Sequence, residues 1–160
     1  MSAEEIKDLL THALEGMQVE VDDKAEPKGI KVPPSQIKPV LQELYQNPST
    51  YFDMLSCITG VDNGPEENII EIIYQLYSIP FNLQVMVKVQ LDREVPKVET
   101  VSGIWKTANW QEREIYDLLG VHFENHPDLR RILLPADWEG HPLRKDYKHQ
   151  EYYRGIKVEY

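Results

Sequence analysis

The chain reads as an α+β protein: a two-layer sandwich of helices on a mixed β-sheet, with an extended C-terminal arm. Three observations predict it. Apolar residues recur at helical spacing in three separate stretches, two long segments alternate apolar and polar residues with period two, and after Gly120 both periods disappear. The elements follow the order helix, strands, helix, strands rather than a regular βαβ alternation, which points to helices on one sheet and not to a parallel doubly wound fold.

Ser2 followed by Glu5 has the spacing of a capping box, and Ile6, Leu9, Leu10, Ala13, Leu14 and Met17 then mark one helical face, ending near Gly16. Val19 and Val21 begin a short strand, the charged run from Asp22 to Gly29 reads as a loop, and Ile30 to Val32 form a second short strand. Pro33 and Pro34 stop it. Ser35 is placed to cap a second helix that turns Ile37, Val40, Leu41 and Leu44 inward, and Asn47-Pro48 ends it because a residue before proline is pushed out of the helical region.

An apolar stretch from Leu55 to Val61 leads to the turn residues Asp62-Asn63-Gly64-Pro65. The alternating positions Ile70, Ile72, Tyr74, Leu76 and then Leu83, Val85, Val87, Val89, Leu91 read as adjacent antiparallel strands with one face buried. Pro96 opens a loop, and Ser102 is placed to cap a third helical region that passes Trp105 and runs to Leu119, with Gly120 as its left-handed stop. On this helix Ala108, Glu112, Ile115 and Leu119 share a face, so Glu112 interrupts an apolar stripe. A carboxylate there needs a partner, from an arginine or an amide. Arg113 and Asp117, at i and i+4 on another face, have the spacing to pair with each other.

At 160 residues the chain is long enough for one core without disulfide or metal support. Cys57 is the single cysteine, expected in the core, so the chain alone can supply neither an internal disulfide nor four thiolates for an iron–sulfur cluster. No apolar run has the length of a membrane span and the start lacks the form of a signal peptide, so the chain is expected to remain where it is made. A net charge of −10 argues against nucleic acid as a partner. That charge is uneven: residues 1–126 hold 10 basic against 21 acidic residues, and residues 127–160 hold 7 against 6. Residues 1–126 are therefore read as an α+β globular domain and 127–160 as a docking arm that is not independent of it. The alternative is a tail folded back on its own acidic body.

Phosphate-cradling glycine motifs are missing. His122 and His126, with Glu124 between them and His141 downstream, permit the sketch of a metal site, but Gly120 and Pro127 break any helix that would bring the pair to one face. Glu112, Glu114 and Asp117 with a nearby histidine offer acid and base groups on different helical faces, which counts against an active site. Arg130, Arg131, Arg144, Trp138, Tyr147, Tyr152 and Tyr153 are instead the residue types of interface hot spots.

The runs Glu112-Arg113-Glu114-Ile115-Tyr116-Asp117-Leu118-Leu119-Gly120-Val121, His126 to Leu133 and Asp137 to Tyr147 closely resemble the signature of the respiratory complex I C subunit family. The resemblance is strongest over residues 105–147. It implies a non-catalytic peripheral-arm subunit of a proton-translocating NADH:quinone oxidoreductase, docked on the quinone-site D and B subunits at the cytoplasmic face of a prokaryotic membrane. It also implies that this chain binds no cofactor, with NADH, flavin, iron–sulfur clusters and quinone on partner subunits. Glu112, Arg113, Asp117, Arg130, Arg131, Trp138, His141, Arg144 and Asp146 match the signature as structural and interface positions, with no catalytic, cofactor-binding or metal residue among them. The family also includes membrane-bound hydrogenases, so an equivalent scaffold in a complex with another electron donor is the alternative. Lys148 departs from the proline that many members have after Tyr147.

Overall fold

The computed structural model describes residues 1–23 and 29–158. Helix α1 (Ala3–Ala13) begins with the expected reciprocal cap: Glu5 N–H donates to Ser2 Oγ, and Ser2 N–H donates to the Glu5 carboxylate. It buries Ala3, Ile6 and Leu10. Strands β1 (Glu20–Asp22) and β2 (Gly29–Lys31) follow, and the loop expected from Asp22 to Gly29 falls at 24–28 outside the described residues. Ser35 does not cap the second helix. It lies inside a 3-10 turn (Pro34–Gln36) that runs straight into α2 (Ile37–Gln46), because the Pro33-Pro34 geometry already sets the entry and no side chain accepts from the first amides. Four apolar residues of α2 are buried as its spacing predicts: Ile37, Val40, Leu41 and Leu44.

Strands β3 (Met54–Asp62), β4 (Ile69–Ser78) and β5 (Leu83–Asp92) form an antiparallel meander. The sheet order is β1-β2-β5-β4-β3, with β2 parallel to β5, so the sheet is mixed. Ile70, Ile72, Tyr74 and Leu76 of β4 meet Val85, Val87, Val89 and Leu91 of β5 on the buried face. Cys57 departs from its expected core position: it is half-buried and pairs in register with Gln75 on the opposite face, beyond an irregularity between Leu55 and Cys57 that resets the alternation.

The third helix is shorter than its sequence suggests. Residues after Ser102 form turns, and α3 (Ala108–Leu119) starts at Thr107 without a side-chain cap. Thr100 and Ser102 instead bond each other and, through Thr100, a buried carboxylate of α3. Strand β6 (Lys97–Glu99) before the helix and β7 (His122–Glu124) after it were not evident from sequence. They pair in parallel, with α3 as the crossover that parallel pairing requires. Gly120 does take the left-handed conformation that ends α3. Gly60 of β3 lets the helix approach: a β-carbon there would stand 2.5 Å from Leu119 Cδ1. A last two-residue pair, β8 (Tyr152–Tyr153) and β9 (Ile156–Lys157), closes the described chain.

Candidate subunit interface

The C-terminal end of α3 organises the surface built by residues 127–150. A helix leaves its last carbonyls without internal partners, and here the rest of the chain satisfies each one. Gly120 N–H donates to Tyr116 O at 2.9 Å. Asp117 O accepts from Arg131 Nη1 at 3.1 Å and from His141 Nδ1 at 2.9 Å. Leu143 N–H donates to Leu118 O at 3.0 Å, and Arg144 Nε donates to Leu119 O at 2.7 Å. Cations at this position also meet the negative end of the helix dipole.

Asp117 does not pair with Arg113 as the i, i+4 spacing suggests. Its side chain is fully buried, and Oδ2 accepts three successive amides, from Ile132, Leu133 and Leu134, while Oδ1 takes Arg131 Nη1 at 2.9 Å. A buried carboxylate surrounded by preset donors is satisfied better than one paired on a helix surface. Burial alone would raise its pKa, but the amides and Arg131 outweigh it and hold the carboxyl below its usual range. Arg131 Nη2 then donates to Trp138 O and Gly140 O, so one arginine ties α3 to two points of the following loop. Trp138 Nε1 donates to the Tyr147 hydroxyl at 3.0 Å. His141 packs against Gly120, where a β-carbon would meet its ring at 2.6 Å. Burial and the nearby Arg131 and Arg144 charges lower the His141 pKa against the bond to Asp117 O.

A second clamp joins the arm to the sheet. Arg93, at the end of β5, donates to both carboxylate oxygens of Asp62, at 2.7 and 2.9 Å, and also binds Asp146. Asp62 further accepts the Lys145 amide at 2.8 Å, and Lys145 Nζ reaches Asn63 O at 3.1 Å. Arg93 holds Asp62 well below the ordinary carboxylate range and lowers Asp146 as well. Asp62 and Arg93 were missed as site residues. Arg93 sits between Asp92 and Glu94 with no periodic signal to mark it as buried, and Asp62 reads as an ordinary turn residue.

Glu112 has neither an arginine partner nor solvent. It is 0% exposed and accepts from Thr100 Oγ1 at 2.5 Å and from the Val101 amide at 2.8 Å. Burial, only partly offset by these two donors, pushes its carboxyl up from 4.5 to about 7. His126 stands 3.8 Å away, but its Nε2 donates to Asn109 O and its Nδ1 accepts the Asp128 amide. Among the described residues no group of three or more His, Cys, Asp or Glu is arranged to hold a metal. Arg113 stacks on Trp110, 4.9 Å from the ring centre, and donates through Nε to Arg130 O. Arg130 itself is exposed and, among the described residues, pairs only with Asp128, at 3.0 Å. The described arm therefore lies along the chain's own acidic body, with Leu133 and Leu143 turned outward.

The family model of the respiratory-chain NADH dehydrogenase 30 kDa subunit matches residues 30–153, which spans the sheet, α3 and the arm. The chain belongs to this family. Within it, the NADH-quinone oxidoreductase C subunit of Chlorobium phaeobacteroides is 50% identical over 115 residues, 71% of this chain and 69% of that protein. Among solved structures, one from the membrane-bound sulfane sulfur reductase, an archaeal respiratory membrane complex, superposes with a TM-score of 0.71. Its identity is 26%, covering 91% of this chain and 85% of that one. A trypsin-resistant fragment of Nqo5 superposes with a TM-score of 0.58 at 28% identity, covering 77% of this chain and 97% of the fragment. The α+β sandwich is thus the fold of the 30 kDa subunit family, and the family's proteins are subunits of an enzyme complex. No helix among the described residues is long and apolar enough to cross a membrane.

Proposed function

We propose that this 30 kDa family chain is a non-catalytic subunit in the peripheral arm of a proton-translocating NADH:quinone oxidoreductase. It docks on the quinone-site D and B subunits at the cytoplasmic face of a prokaryotic membrane. NADH, flavin, iron–sulfur clusters and quinone belong to its partners. The observation that carries this reading is the arm itself: Asp117, Arg131, His141 and Arg144 commit their bonding to the end of α3, leaving a shaped outer surface with Leu133 and Leu143 exposed. A loop fastened this way loses little conformational entropy on docking. Glu112, Trp138 and Asp146 hold the same framework, and Arg130 faces outward.

Recovery through an N-terminal tag from mildly solubilised membranes, with the eluate assayed for quinone reduction, tests the reading. Hydrogenase-like and iron–sulfur subunits with NADH-driven activity are expected. Arg131→Ala removes the tie between α3, Trp138 O and Gly140 O, and is expected to lower recovered complex several-fold with unchanged activity per assembled complex. Full assembly with slow turnover would refute the scaffold role. The likeness to a chain of the sulfane sulfur reductase favours a second reading, the same scaffold in a complex with another electron donor. An eluate active with another donor and inert with NADH selects it.

A further inference from the structure

Glu112 aside, the buried aspartate and arginine side chains of the described residues are paired with one exception. Asp22 has Lys31 and Lys88, Asp62 has Arg93, Arg93 has Asp62 and Asp146, and Asp117 has Arg131. Arg113 is only 6% exposed, yet among the described residues no carboxylate lies within ion-pair reach of it. Its partners are the Trp110 indole, 4.9 Å below the guanidinium, and one carbonyl, Arg130 O, taken by Nε at 3.2 Å. The other two guanidinium nitrogens take no hydrogen bond in the described chain, and neither is sealed from solvent. Asp117, one helical turn away, is fully occupied by Arg131 and three amides. Asp128, in the segment that supplies the carbonyl, is taken by Arg130.

A guanidinium set over an indole, with its two terminal nitrogens open to solvent and without a partner in the described chain, is preset for two parallel bonds to a carboxylate. Trp110 is 64% exposed, an unusual position for the largest apolar side chain, and lies against the guanidinium. We infer that Trp110 and Arg113 form a docking hot spot that receives an aspartate or glutamate side chain of a neighbouring subunit. The indole packs against the apolar surface around that carboxylate. This rests on the reading of the chain as a subunit of a larger complex, and it names the chemistry of one contact.

The test uses the assembled complex, recovered through the N-terminal tag with its partner subunits identified. Arg113→Met keeps the apolar stem and removes the charge. Partner recovery is expected to fall at least tenfold while the Tm of the isolated chain stays level or rises, and Arg113→Lys is expected to restore part of the recovery. A purely internal role gives the opposite split, a lower Tm with normal recovery, and overturns the inference. Trp110→Ala alters only a surface side chain and keeps the test decisive if Arg113→Met fails to fold: recovery should fall, and wild-type recovery overturns the hot spot. If the unaltered chain recovers no partner, the subunit reading falls and the inference with it. If it recovers partners and both variants equal it, the inference alone falls.

Discussion

Glu112 shows how a single residue can oppose the stability of the fold that holds it. Its carboxyl lies on the apolar face of α3, where burial raises its pKa to about 7. A folded value above the unfolded one means the native chain binds the extra proton. The stability linked to this group is therefore full below about 4.5 and is lost as pH rises through 7. Asp62 and Asp117 have the opposite sign: their depressed values contribute stability above the ordinary carboxylate range that is lost as pH falls. Glu112→Gln keeps an acceptor for the Val101 amide and removes the ionisation. It is expected to exceed the parent chain by about 3 kcal/mol at pH 8, with the gain shrinking toward pH 5. Urea unfolding of both chains between pH 5 and 8 measures this, and parallel pH profiles would contradict it.

At the scale of elements, the packing of α3 on β3 depends on one missing methyl group. A β-carbon at Gly60 would meet Leu119 Cδ1 at 2.5 Å and Ile115 Cγ2 at 3.1 Å, so the Leu119 side chain must turn away or the helix must shift. Gly60→Ala is expected to cost ~1–3 kcal/mol. Because the arm is fastened to the end of α3, the same change should speed hydrogen exchange at the amides of Ile132, Leu133 and Leu134, which donate to Asp117. Loss of stability with those three amides still protected would show that helix and arm move as one body. How the strands were read follows the same logic of local against distant forces. β4 and β5 are long enough for their alternation to stand out, whereas β6 and β7 have three residues each and exist because α3 carries the chain back beside itself.

Across the whole molecule two fastenings of opposite charge sense tie the arm to the body. Acidic Asp117 of the body holds basic Arg131 of the arm, while Arg93 of the body, paired with Asp62, holds acidic Asp146 of the arm and Asp62 takes the Lys145 amide. Arg93→Ala would leave the Asp62 side chain, 1% exposed, without its cation. A loss of ~3–5 kcal/mol is expected, together with faster tryptic cleavage at Lys145 and Lys148 as that part of the arm loosens. Unchanged cleavage at both sites would show that the bonds to α3 alone fasten the arm.

The sequence by itself determined the parts that rest on short-range geometry. Helical spacing located α2 and the inward face of α3, period-two alternation located β4 and β5, Gly120 marked the helix stop, and the run from Glu112 to Tyr147 carried the family. Only the tertiary structure decided which donor meets which buried charge. Asp117 chose Arg131 and the amides of residues 132–134 over its helical neighbour Arg113, and Glu112 chose Thr100 and Val101 over any arginine. The reason is physical. A period needs only the backbone geometry of neighbouring residues, whereas a buried charge is satisfied by whatever the closed fold brings within about 3 Å, and those donors lie a loop or a whole sheet away along the chain.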